Sequence, residues 1–72
     1  MQALLNNITA TQKAVQAANE NYRNIDGRQV TMKKLAEQRR VNAEKLYNEA
    51  LLAAEKAGIS DAEIGAAIDA AW

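Results

Sequence analysis

A chain of 72 residues with no Cys, no His and no Pro is one domain at most, and it lacks two common fasteners of small folds, the disulfide and the His/Cys zinc site. Apolar residues make up 49% of it, but 16 of them are Ala, which favours helix while burying little area. The core is therefore expected to be thin and carried by Leu, Ile and Val, which points to stabilisation by partners or by self-association. The formal net charge is zero but unevenly spread. Residues 23 to 45 set Arg23, Arg28, Lys33, Lys34, Arg39, Arg40 and Lys45 against Asp26, Glu37 and Glu44, a balance of +4. Residues 46 to 72 set Lys56 against Glu49, Glu55, Asp61, Glu63 and Asp69, a balance of −4. Two readings stand: a solvated face of mixed charge, or a dipolar subunit whose basic belt meets an acidic neighbour or a phosphate backbone.

The first predicted element is a helix over about residues 2 to 22. Leu4, Ile8, Thr11, Val15, Ala18 and Tyr22 recur at intervals of four and three, one seam of an amphipathic helix. The rest of the segment is rich in Asn, Gln and Thr, a surface able to hydrogen-bond to a neighbour without strong charge. Its start lacks the basic region and apolar run of a signal peptide, and no window approaches the ~20 apolar residues of a membrane span. The expected compartment is the cytosol.

Residues 23 to 30 are predicted to turn. Asp26-Gly27 is a two-residue turn signal, and the β-branched Ile25 and Val30 flank it, so a minimal hairpin is expected here. An isolated hairpin is barely stable in water, so it would have to pack on the helices or pair with another chain. A long helix follows from about residue 31, with Thr31 as N-cap, to about residue 57. One face carries Met32, Ala36, Arg39, Ala43, Leu46, Ala50, Ala53 and Ala57, widened by Leu35, Tyr47, Leu51 and Leu52. At about 1.5 Å per residue this helix spans roughly 40 Å, more than a compact bundle of this size needs, which suggests a paired or projecting element.

Gly58 reads as the residue that ends this helix. Ser60-Asp61-Ala62-Glu63 matches a capping box, with Ile59 and Ile64 placed for the accompanying hydrophobic staple. A short helix over about residues 60 to 71 then carries Ile64, Ala67, Ile68, Ala71 and Trp72 as an apolar stripe. Trp72 either folds back on the long helix or serves as an anchor for a partner. The expected fold is all-α, with at most one minimal β-hairpin.

The chain offers little material for catalysis. Ser60 is its only Ser and is better explained as a cap, and no carboxylate is paired with a base. The acidic residues are scattered, with no dense loop of oxygen ligands. The expectation is therefore no enzyme, no cofactor and no metal. Arg39 falls on the apolar seam of the long helix. Either its stem packs and its guanidinium reaches solvent, or it makes an inter-subunit ion pair or phosphate contact aided by Arg40. Tyr22 and Tyr47 read as core or rim residues, too few to stack bases along a strand.

The stretch from Tyr22 to Leu35 follows an Ala-rich helix and opens a charged one. With Tyr22, Ile25, Gly27, Arg28, Val30, Thr31 and Leu35 at the matching positions, it resembles the head–tail joining protein W family of tailed phages, over about residues 3 to 52. Those proteins show a helix, a small hairpin and a second helix. The resemblance implies a ring-forming connector subunit in the host cytoplasm or the virion, packing on copies of itself and on a portal or tail protein. The basic belt of residues 23 to 45 would then face DNA, the portal or the next ring. Residues 58 to 72 extend beyond the family's usual second helix. The residues singled out for partner contact are Tyr22, Ile25, Arg28, Arg39, Arg40, Tyr47 and Trp72. Two other readings stand beside this one: a small regulatory protein docking an apolar helix face with Trp72 on a host or phage protein, and a nucleic-acid binder using residues 23 to 45. Residues 50 to 65 also look like the first two helices of many bacterial helix-turn-helix domains, but no basic recognition helix follows them.

Overall fold

The computed structural model describes residues 2 to 72 and is all-helical there: α1 (Gln2–Asn24), α2 (Val30–Lys56) and α3 (Asp61–Asp69). α1 and α2 form an antiparallel hairpin, and α3 folds back against the first half of α1. The result is a rod of 45 × 20 × 15 Å, its long axis set by the 27 residues of α2.

The α1 seam packs as its periodicity requires. Ile8 is fully buried, and Leu4, Thr11, Val15, Ala18 and Tyr22 are half-buried beside it. The α2 seam lies one residue further round than its apolar pattern suggests. Its inward face is Lys33, Ala36, Arg40, Ala43, Tyr47, Ala50 and Ala54, whereas Met32, Arg39, Leu46 and Ala57 are exposed. The inward apolar positions are mostly Ala. Small side chains let two helix backbones approach closely, so the larger Met32 and Leu46 are left outside that contact.

The core occupies one end of the rod. Ile8, Ala50, Ala54, Ile59, Ile64 and Ala67 are buried together, with Leu4, Leu5, Tyr47, Leu51 and Ile68 packed around them. Full burial of an Ile side chain such as Ile8 is worth about 1.5–3 kcal/mol. Thr9 adds a polar tie, its hydroxyl donating to the Ala67 carbonyl of α3 at 2.7 Å.

No strand forms among the described residues, and the segment between α1 and α2 is a plain turn rather than a hairpin. A two-residue hairpin loop of the Asp-Gly kind demands positive φ at both central residues. Here Gly58 is the one described residue with positive φ. The Gln29 N–H donates to the Asp26 carbonyl at 2.9 Å, and the Arg28 N–H to the Asp26 carboxylate at 3.0 Å. Val30 is already helical, and the N-cap position falls to Gln29, not Thr31, with no side-chain cap.

The α2–α3 junction follows its sequence signals. Gly58 adopts φ 81°, and the Gly58 and Ile59 N–H groups donate to the Glu55 and Ala54 carbonyls at 3.0 and 3.1 Å. This paired closure satisfies carbonyls that the helix end would otherwise leave free. The Ser60 hydroxyl accepts from the Glu63 N–H at 3.3 Å and donates to the Glu63 carboxylate at 3.3 Å, so the serine half of the expected box forms while the glutamate takes the hydroxyl rather than the Ser60 N–H. Ile59 and Ile64 flank this cap and share the core cluster.

Candidate partner-binding site

Two surfaces stand out, one polar at the turn end and one apolar along α2. The polar one is built on Tyr22, where α1 ends. Lys33 and Arg40 lie seven residues apart on the inward face of α2, and both reach the Tyr22 ring. The Lys33 ammonium is 4.0 Å from the ring centroid and the Arg40 guanidinium carbon 4.7 Å. Cations over an aromatic face are attracted by the ring quadrupole. Lys33 also donates to the Tyr22 and Ile25 carbonyls at 2.8 and 3.3 Å, which supplies positive charge to the C-terminal end of α1. Arg40 donates to the Asn19 side chain and to the Glu37 carboxylate, each at 2.9 Å.

These contacts change the reading of the basic belt. Lys33 and Arg40 are occupied within the fold, leaving Arg23, Arg28, Lys34, Arg39 and Lys45 exposed on its surface. Arg28 pairs across the turn with Asp26 at 3.3 Å and remains 93% exposed in its side chain. Its N–H and guanidinium hold the Asp26 carboxyl below its ordinary value, Lys33 contributing further.

The expected partner contacts therefore separate. Tyr22, Ile25 and Arg40 gather at the turn end, with Arg28 at its tip. Tyr47 packs against the core at the other end. Arg39 does not sit on the packed seam, as its apolar neighbours in sequence suggested. It faces solvent one residue round from Arg40. Trp72 is 81% exposed and does not fold back into the core. It walls a shallow groove with Gln16, Asn19, Tyr22, Arg23 and Arg40.

The apolar surface is a second seam on α2. Met32, Leu35 and Leu46 are each more than half exposed. With Arg39, Asn42, Glu49 and Ala53 they form the series 32, 35, 39, 42, 46, 49, 53, again spaced by three and four. This series runs parallel to the inward face, and α3 packs against α1 rather than on it. The signal was present in the sequence as two interleaved series offset by one residue, which a single broad apolar face had merged.

Among the described residues no three acidic side chains gather into a metal-binding group, and no helix is long and apolar enough to cross a membrane. Comparison with family models, with curated proteins and with solved structures found no match.

Proposed function

We propose that the chain is a non-catalytic assembly subunit that binds another protein through the outer face of α2. The observation that carries this reading is the exposed row of Met32, Leu35 and Leu46, set on one helix and left uncovered by the rest of the fold. Apolar side chains aligned on one face gain free energy when a neighbouring surface takes them out of water. A chain without His or Cys, and with a single Ser engaged as a helix cap, has little to offer a reaction.

The setting we propose is head–tail joining in tailed phages, with a second copy, a portal or a tail protein as partner. Its support is the resemblance of residues 22 to 35, in a helix–turn–helix order. The family's hairpin is a turn here, so the helices rather than strand pairing would make the contacts. Sedimentation equilibrium of the wild type and of a Leu35→Glu, Leu46→Glu variant tests the reading. The wild type is expected to associate above the 7.9 kDa of one chain, alone or with a portal or tail protein. The variant should keep its helicity and lose the association. A wild type that stays monomeric with and without those partners would overturn the reading, as would a variant that associates equally well.

A further inference from the structure

Resting on that assembly reading, we infer that the outer seam of α2 pairs with the same seam of a second copy, antiparallel, with Arg39 of each copy against Glu49 of the other. Arg39 and Glu49 lie on the exposed seam, and neither makes an ion pair among the described residues. They are the seam's only charged members between Met32 and Ala53. In an antiparallel helix pair the layers join residues whose numbers share a constant sum. Setting Arg39 on Glu49 places Leu35 on Ala53, Asn42 on Leu46 and Met32 on the stem of Lys56. Large then faces small at Leu35 and Ala53, and the two Leu46 side chains lie on adjacent layers either side of the twofold axis. Every layer pairs one residue from the first position of the three-four repeat with one from the second, as antiparallel coiled packing requires.

The charge pattern selects this direction. A parallel pair in register would set Arg39 on Arg39 and Glu49 on Glu49, like charges that destabilise an interface. The antiparallel pair satisfies both ion pairs at once. It also lays the basic first part of α2 in one copy (Lys33, Lys34, Arg39, Arg40 and Lys45 against Glu37 and Glu44) beside the last part of α2 in the other, where Glu49 and Glu55 outnumber Lys56. The occupant favoured by this face is therefore the chain itself.

The absence of native Cys makes a direct test clean. Residues 39 and 49 are about 15 Å apart along one helix, beyond the roughly 7 Å that a disulfide spans. In an Arg39→Cys, Glu49→Cys variant a bond between these positions can form only across two copies. Mild oxidation is expected to convert this variant to covalent dimer much faster than Arg39→Cys alone. In a second arm without oxidation, Arg39→Glu and Glu49→Arg should each weaken self-association about tenfold or more, and the double variant should restore it to near wild type. Equal oxidation of single and double Cys variants, or no restoration in the charge swap, would overturn the pairing. If Leu46→Glu still abolishes assembly in that case, the general assembly reading survives and only the antiparallel partner is lost. A chain that stays monomeric, yet binds a portal or tail protein through Leu46, also overturns the pairing.

Discussion

Lys33 places its ammonium 4.0 Å from the centroid of the Tyr22 ring and donates to the Tyr22 carbonyl at 2.8 Å. One side chain of α2 thus grips both the last aromatic of α1 and the free carbonyls at its C-terminal end. Helices often close with a glycine at this point, but here the cation comes from the next helix.

Replacing Lys33 by Met keeps the apolar stem and removes the charge. The expected loss is about 1–2 kcal/mol of unfolding free energy, combining the carbonyl contacts with the cation over the ring. Urea denaturation followed by circular dichroism measures it. A Lys33→Met variant as stable as wild type would show that the grip contributes nothing.

Arg39 and Arg40 are neighbours in sequence with opposite structural duties. Arg40 touches Asn19, Glu37 and the Tyr22 ring, whereas Arg39 faces solvent. In protein dilute enough to be monomeric, Arg39→Ala should change stability by no more than about 0.5 kcal/mol. Arg40→Ala should cost about 1 kcal/mol or more. Paired denaturation curves should separate the two; a reversed order would contradict the helix register.

The glycines in the last third of the chain predict effects of opposite sign. A Cβ built on Gly58 or on Gly65 meets nothing within 4 Å, so crowding does not distinguish them. Gly58 sits at φ 81° and Gly65 within α3. Gly58→Ala should cost about 1–2 kcal/mol, because an L side chain is strained in the left-handed region. Gly65→Ala should stabilise by about 0.5–1 kcal/mol, as Ala does in a helix interior. Thermal melts of the two variants should move in opposite directions.

Asp26 should titrate below an Asp in an unstructured peptide, because the Arg28 N–H and guanidinium, and then Lys33, favour its charged form. A carboxyl depressed on folding stabilises the fold above its unfolded pKa. That contribution fades as pH falls through the folded pKa. The carboxyl is more than half exposed, so the effect on stability is small and the titration itself is the useful readout. NMR titration of the Asp26 carboxyl checks it, and a midpoint at or above the peptide value would contradict the turn geometry.

Most of the architecture was legible in the chain. The α1 seam, the Gly58 stop and the Ser60 cap each rest on local chemistry that little else can satisfy, and each is found in place. The misread parts share one cause, which is that neighbours in space decided them. Ala36, Ala43 and Ala50 are buried as the expected face has them, but Met32 and Leu46, core residues by hydrophobicity, give their inward places to Lys33 and Tyr47. Lys33 and Arg40 look like surface residues, yet the Tyr22 ring gives both cations an inward destination. Asp26-Gly27 carries a hairpin signal, but Val30 belongs to α2 and no strand forms among the described residues.

The greasy cluster around Ile8 lies far from the turn, whose neighbourhood is held by cations and carbonyls instead. Cohesion should therefore be graded along the rod, with amides near Asn24 to Lys34 exchanging with heavy water sooner than those near Ala50 or Ile64. Anything that settles on Met32 and Leu35 lands on the looser half. It would stiffen that half on arrival, so binding there carries an ordering step that the Ile8 half has already completed.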